Sequence, residues 1–270
     1  MKLLRLLISL LFVIVLVTFV IFQFMQLGVD KTIPQITVDN DIIEVSLDVT
    51  NEYLLQGVSA YDQKDGDLTD KVIVESISRF IEPGVSVVKY AVCDSDNHAA
   101  YATRKILYVN YVPPRFKLTD SLVFNISQNI NIRNILGAVD TIDGDISNKV
   151  IITANEYSAN IPGVYYISAK VTNSKGDMIL QQFPIYIEER SLAAPQLVLK
   201  EHISYLKVGD NFDIYNNILS ALSSDGENLV SQIYVDTNLD LSTPGMYEIH
   251  YRVADSQGRI GHEITIIIVE

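Results

Sequence analysis

Apolar and polar positions follow two regimes along the chain. Residues Leu6 to Phe22 read LLISLLFVIVLVTFVIF, without a charge, and uncharged residues continue to Leu27. A helix of that length spans a hydrocarbon core of about 30 Å, so one N-terminal transmembrane helix is predicted, with residues 6–27 in the membrane. After residue 28 the pattern changes to period two, the mark of half-buried antiparallel strands. Tyr247, Ile249, Tyr251 and Val253 share one face, and Glu248, His250 and Arg252 the other. Tyr165, Ile167, Ala169 and Val171 repeat the pattern, as do Ser86, Val88, Tyr90 and Val92. Runs rich in β-branched or aromatic residues follow at Ile106–Val109, Phe183–Ile187 and Ile264–Val269. Beyond the N-terminal run no stretch sustains a 3.6-residue period. Short helical turns are expected at most at Asn131–Leu136 and Ile214–Leu222.

The strands are organised by an internal repeat. Asp65-Gly66-Asp67-Leu68-Thr69 recurs as Asp143-Gly144-Asp145-Ile146-Ser147, and more loosely as Asp225-Gly226-Glu227-Asn228-Leu229. Each copy is followed by a Pro-Gly pair (Pro83-Gly84, Pro162-Gly163, Pro244-Gly245). A turn then follows one strand later, at Asp94–Asn97, Asn173–Gly176 and Asp255–Gly258. Three markers in constant order identify tandem units. Short strands punctuated by turns predict an all-β fold of three tandem β-sandwiches after the helix. The expected division is 1–28 for a cytoplasmic stub and signal anchor, then 29–111, 112–190 and 191–270 for the repeats. Prolines at Pro34, Pro113-Pro114 and Pro195 open the units and restrict the joints. A semi-rigid array placed end to end, on the order of 100 Å long, is expected.

Charge sets the orientation. Lys2 and Arg5 precede the apolar run and no acid does, so the positive-inside rule puts the N-terminus in the cytoplasm and the repeats outside. A cleaved signal peptide is the competing reading, although Gln23–Lys31 offers no Ala-x-Ala site. Net charge is −13, and an acidic body argues against nucleic acid, which demands clustered Lys and Arg. Cys93 is the only cysteine; no intrachain disulfide can form, and its place near a strand end predicts a buried or half-buried, unreactive thiol. His98, His202, His250 and His262 show no metal-ligand spacing and read as surface or strand-face residues. No Gly-rich phosphate loop or nucleophile elbow occurs. The chain therefore does not read as an enzyme.

The acids carry the candidate chemistry. Asp62, Asp65 and Asp67 share one loop, with Asp94 and Asp96 in a second turn; Asp140, Asp143 and Asp145 repeat the first set. If the loops converge, these are candidate Ca²⁺ ligands, since the ion takes about 6–8 oxygens. The competing reading is turn chemistry, with Asp capping its own backbone and Gly supplying positive φ. Thr69 and Ser147 are expected to cap turns.

The pattern Asp-x-x-Asp-Gly-Asp-[Leu/Ile]-[Thr/Ser]-x-x-Val, then Pro-Gly, then alternating Tyr-x-Ile-x-Tyr-x-Val, resembles the bacterial immunoglobulin-like domains repeated in Gram-positive surface proteins and in some pesticidal crystal proteins, related to hyalin repeats. Asp62, Asp65–Thr69 and Val72 carry it in the first unit, and Asp140, Asp143–Ser147 and Val150 in the second. The third departs, with Leu222 read in place of the leading Asp and Glu227 in place of the last. The resemblance implies immunoglobulin-like sandwiches acting as a membrane-anchored stalk, adhesion or protein-interaction module at the bacterial cell surface, with an envelope protein or glycan as partner. The alternatives are a Ca²⁺-dependent carbohydrate-binding array and a cell-wall-acting enzyme. No Leu-Pro-x-Thr-Gly signal closes the chain, so the third unit is expected at the membrane-distal tip.

Overall fold

The structure is a computed structural model that describes residues 2–27, 31–155 and 157–270, with side chains of the first helix described over residues 7–23. The boundary expected at residue 28 lies outside the described residues, as do the side chains of Lys2 and Arg5. Helix α1 spans Lys2–Leu27. Among the described residues no helix is long and apolar enough to cross a membrane, α1 contributing only residues 7–23 to that test.

The remainder is mostly β-sheet with few helices, and it falls into two compact units, Met1–Asn110 and Tyr111–Glu270. In the first, β1 (Gln35–Val38), β3 (Val58–Asp62) and β4 (Gly66–Asp67) form one sheet. β2 (Ile42–Val45), β7 (Ala99–Tyr108), β6 (Val85–Cys93) and β5 (Ile73–Ile77) form the other, in that order. β2 pairs parallel with β7, and β7 antiparallel with β6. A one-turn helix, α2 (Asn51–Leu54), lies between β2 and β3; the Thr50 hydroxyl caps it by accepting from the Tyr53 amide at 3.3 Å. The core is the inward set of the alternation: Val88, Tyr90 and Val92 from β6, with Ile106, Leu54, Ala60, Leu68 and Val72. Cys93 departs from expectation. It is exposed, because it is the last residue of β6, opposite Ala99, and its position is on the outward phase of the strand.

The second unit contains the same two-sheet arrangement twice, the last copy with two strands rather than three in its smaller sheet. β8 (Arg115–Leu118), β10 (Leu136–Asp140) and β11 (Gly144–Asp145) face a sheet of β9 (Val123–Asn125), β14 (Met178–Glu188), β13 (Gly163–Thr172) and β12 (Ile151–Asn155). β15 (Gln196–Leu199) and β17 (Ile218–Leu222) face β16 (Ile203–Leu206), β20 (Ile260–Val269), β19 (Gly245–Ala254) and β18 (Tyr234–Thr237). The parallel pair recurs as β9–β14 and β16–β20. The expected turns form as helix α3 (Ile132–Ile135) and a 3-10 turn at Tyr215–Asn217, whereas Ile218–Leu222 is strand.

These two sandwiches are not arranged as a string. Ile264 and Ile266 on the outward face of β20 belong to the apolar core built by Phe116, Leu122, Phe183, Ile185 and Ile187. The Tyr205 hydroxyl accepts from the Phe116 amide at 2.8 Å, and Arg115 pairs with Glu270. The outward face of the last sheet thus covers the flank of the middle sandwich. Its alternate apolar residues made this possible: β20 reads Ile-Thr-Ile-Ile-Ile-Val from Ile264, apolar on both faces.

Candidate functional site

Each sandwich ends in two loops, and the predicted acids sit there. Asp62 closes β3; its Oδ1 accepts from the amides of Lys64 (2.8 Å) and Asp65 (2.9 Å), and its Oδ2 from the Thr32 hydroxyl (3.2 Å). Asp140 does the same for Ile142 and Asp143, both at 2.9 Å, while Asn173 Nδ2 donates to its Oδ2 at 3.1 Å. Both aspartates are buried. The turn that follows needs a positive φ, which Gly66 (75°) and Gly144 (71°) supply. Asp67 and Asp145 then form Asx turns that lead into the 3-10 turns, accepting from the Thr69 and Ser147 amides at 2.9 Å. The Thr69 and Ser147 hydroxyls in turn accept from the amides of Ala60 (3.2 Å) and Ala138 (3.1 Å), tying each loop to the strand before it.

A staple joins the two loops. The Asp65 carboxylate accepts from the Ser95 amide at 2.6 Å and hydroxyl at 2.8 Å. Asp143 accepts from the Ser174 amide at 2.7 Å and hydroxyl at 2.6 Å, and pairs with Lys149 at 2.7 Å. In the second loop Asp94 accepts from the amides of Asp96 (2.9 Å) and His98 (2.8 Å) and holds the His98 ring at 2.7 Å, while Asp96 pairs with Lys64. The structure therefore brings the predicted acids of each unit to one end, where each accepts hydrogen bonds from the protein's own donors.

Charge follows those donors. The Asp65 carboxyl lies below its ordinary range because the Ser95 amide, then the Ser95 hydroxyl, hold the ionised form. Asp67 is lowered by the Thr69 hydroxyl and amide, and Asp145 by Lys117 and then Ser147. Burial alone pushes Asp94 and Asp143 up; the donors from His98, and from Lys149 and Ser174, more than reverse it. Among the described residues, no group of three or more His, Cys, Asp or Glu side chains is arranged to hold a metal ion.

The third repeat shows a register that sequence comparison misses. Leu68, Ile146 and Leu229 each donate to the carbonyl of Ala60, Ala138 or Ala221. Those bonds make Ser223, not Leu222, the counterpart of Asp62, and Gly226, not Asp225, the counterpart of Asp65. Asn228 replaces Asp67 and forms the same Asx turn, accepting from the Val230 amide at 3.0 Å. The Asp225-Gly226 pair therefore sits one residue out of step with Asp65-Gly66. The staple to Ser256 is accordingly absent from the third repeat; instead Arg259 bridges Asp255 at 2.6 Å and Ser224 at 3.1 Å.

Two further features were not anticipated. Arg104 is buried, donating to the Leu54 and Gln56 carbonyls and to the Tyr90 hydroxyl. His262, expected on a surface or strand face, is 1% exposed, because the middle sandwich covers it.

Comparison with known proteins places these loops in context. A family model described as "Bacterial surface protein, Ig-like domain" matches residues 36–107 and 200–268, more than half of the chain. The pesticidal crystal protein Cry22Aa of Bacillus thuringiensis is 32% identical over 127 residues, 46% of this chain and 17% of that protein. An uncharacterized 81.3 kDa protein of Acholeplasma phage L2 is 25% identical over 185 residues, 65% of this chain and 23% of that protein. The chain thus spans a minor part of either relative. Among solved structures, Drosophila N-cadherin EC1-4 is similar with a TM-score of 0.25 and 10% identity, over 90% of this chain and 76% of that one. A Clostridium perfringens ZmpB structure with catalytic and CBM51 domains also gives 0.25, at 13% identity over 89% and 31%. Neither score carries an argument.

Proposed function

We propose, since this chain belongs to the bacterial surface protein Ig-like domain family, that it is a membrane-anchored, non-catalytic stalk or adhesion module whose repeats contact an envelope protein or glycan outside the cell. The observation that carries this reading is the use made of the acids. Every predicted loop carboxylate accepts hydrogen bonds from, or pairs with, the protein's own donors, so the loop ends serve as fastened joints. The division into repeats at 29–111, 112–190 and 191–270 draws support from one two-sheet topology occurring three times. Anchoring draws support from α1: its 26 residues contain no acid, and at about 1.5 Å per residue the helix exceeds a hydrocarbon core of about 30 Å. The large side chains from Leu7 to Phe22 are exposed, as for a helix that faces lipid. The positive-inside rule then leaves the N-terminus cytoplasmic and the repeats extracellular.

In-cell crosslinking of the full chain followed by affinity capture tests the reading. Recovery with the membrane fraction after alkaline extraction, protease sensitivity of the repeats from outside, and one reproducible envelope partner are the expected results. Release by alkaline extraction refutes the anchor, and turnover of peptidoglycan abolished by Asp65→Asn refutes the non-catalytic assignment. A Ca²⁺-dependent carbohydrate-binding array is the competing reading of the same loops. It requires heat on calcium addition and melting that responds to a chelator, with the staples at Ser95 and Ser174 exchanged for metal coordination.

A further inference from the structure

The contact between the middle and last sandwiches brings together a chain of titratable groups, of which His262 is buried. His262 Nδ1 lies 2.7 Å from Glu188 Oε1, and its Nε2 lies 3.0 Å from His250 Nδ1. His250 Nε2 lies 3.5 Å from Glu248 Oε2, which accepts from the Tyr186 hydroxyl at 2.6 Å. The imidazole rings stack at 5.3 Å, and the Tyr186 ring meets both edge-on, at 5.2 and 5.8 Å. Glu188 and Tyr186 come from β14 of the middle sandwich; His250 and Glu248 from β19, and His262 from β20, of the last. Other charged groups facing the pair are Arg190, 3.7 Å from Glu188 and donating to the His262 carbonyl, and Arg252, which pairs with Asp236. Glu263, adjacent on β20, faces Asp120, Ser121 and Arg190.

Hydrogen-bond bookkeeping limits the protons this chain can hold. A carboxylate only accepts, so His262 Nδ1 carries its proton toward Glu188, and a neutral His262 leaves Nε2 as an acceptor. His250 Nδ1 must then donate to it. One added proton fits on His250 Nε2, toward Glu248. A second has only His262 Nε2 to occupy, and there two N–H groups would confront each other at 3.0 Å. Glu188 already faces the Arg190 guanidinium and Arg252 is paired with Asp236, so no spare carboxylate balances a second imidazolium. His262 is 1% exposed, and the Tyr186 ring that packs edge-on against both histidines belongs to the other sandwich.

We infer that the Glu188–His262–His250–Glu248–Tyr186 chain is a proton-counting clasp, which holds the last sandwich against the middle one with one added proton and releases it when a second enters. Burial, with Arg252 and His250, lowers the His262 pKa despite the nearby Glu188. A group lowered in the closed form contributes stability present above its ordinary value of about 6.5 and lost as pH falls through the lowered one. Glu188 and Glu248 are also held below their ordinary range, so their contribution is lost only under more acid conditions. Glu263 acts with the opposite sign, because burial raises its carboxyl to about 7. It is common to the proteins compared below, so their difference isolates the imidazole pair.

The test uses the full chain with Cys93→Ser and spin labels at Asn148→Cys and Ser231→Cys, one exposed position on each sandwich. Double electron–electron resonance should give one short distance at about pH 7.5, and a longer population exceeding about half at about pH 5. His250→Gln should keep the short distance at both, because an amide presents either an acceptor or a donor to His262. Circular dichroism at each pH separates release from unfolding. Nitrogen NMR of the unsubstituted chain gives a second measure: an imidazole–imidazole N–N coupling present at neutral pH and lost where the long distance appears. A wild-type distance that never lengthens, a His250→Gln chain that lengthens at the same pH, or a coupling that persists under acid would each overturn the clasp.

Discussion

Asp143 and Asp225 occupy matching places in the Asp-Gly repeat but different places in the structure, and replacing each by alanine separates the two descriptions. Asp143 is a largely buried carboxylate whose side chain is 14% exposed, accepting from the Ser174 amide, the Ser174 hydroxyl and Lys149. Hydrogen bonds to a charged group are worth about 1.5–3 kcal/mol each when removal strands a partner. Here the stranded Ser174 groups turn partly to water and the Lys149 pair is solvent-screened, so the net loss is about 2 kcal/mol. For a unit of this size each kcal/mol moves the midpoint by about 2–4 °C, so Asp143→Ala should lower the Tyr111–Glu270 transition by about 4–8 °C. Asp225 is exposed and receives the hydroxyl of Ser223, two residues away, with no hydrogen bond to Ser256; Asp225→Ala should leave the midpoint where it is. Scanning calorimetry of the full chain at neutral pH is the assay. The Asp143 pKa is lowered in the fold, so its contribution is present above the unfolded value of about 4 and fades as pH falls through the folded one. The difference between Asp143→Ala and wild type should therefore vanish in strong acid. Equal midpoint losses for the two variants would refute the register and the staple together.

Glu263→Gln should stabilise the second unit at about pH 8 by about 2 kcal/mol and give no gain near pH 4. The carboxyl is raised to about 7 by burial, and its Oε2 has no hydrogen-bond partner, so stability present below the unfolded value is lost as pH rises through 7. Urea melts at the two pH values check it. Gly261→Ala places a Cβ 2.4 Å from the Pro195 carbonyl oxygen; the strand must shift, costing about 2 kcal/mol or more in the same melts. Arg104→Met removes the side-chain donor to the Gln56 carbonyl and leaves the Leu54 carbonyl to the Tyr90 hydroxyl alone; it should cost about 2 kcal/mol, lowering the Met1–Asn110 transition alone in calorimetry.

Sheet structure was legible because the core of each sandwich is strictly periodic: Val88, Tyr90 and Val92, like Ile249, Tyr251 and Val253, are buried as their alternation predicts. The acids were legible as turn chemistry for a related reason, since an Asx turn is local and its residues lie within a few positions of one another. What failed was whatever depends on distant partners. The one-residue slip at Asp225 arose because the backbone bond from Leu229 to Ala221, which defines the register, leaves no trace in an Asp-Gly dipeptide. Glu248 and His250 read as a solvated strand face. Period two reports only which side faces the strand's own core, and a polar face that meets polar partners on a neighbouring domain has the same spelling as one that meets water. Thr50 as a helix cap was missed because one turn of helix is too short for a 3.6-residue period to register.

The same limit explains how three copies share a fold while differing at its centre. Arg104, Phe183 and Thr265 are equivalent, as the Cα partners of Val88, Ile167 and Ile249. All three are buried, yet one is a cation, one a ring and one a hydroxyl. Their neighbours compensate. Where β6 and β19 bring Tyr90 and Tyr251 into the core, each hydroxyl donates to a backbone carbonyl, of Leu54 or Ile214. The third core residue is then one that can bond: Arg104 to the Tyr90 hydroxyl and the Leu54 carbonyl, Thr265 to Asn217 at 2.7 Å. Where β13 has Ala169 instead, no hydroxyl enters, and Phe183 fills the space edge-on against Phe116 at 5.3 Å. The segments matched by the family model are the two that keep the tyrosine. A polar core must be satisfied as a set or dismissed as a set, so a single change from Tyr90 to Ala, or from Phe183 to Arg, should be far more damaging than the difference between neighbouring repeats suggests.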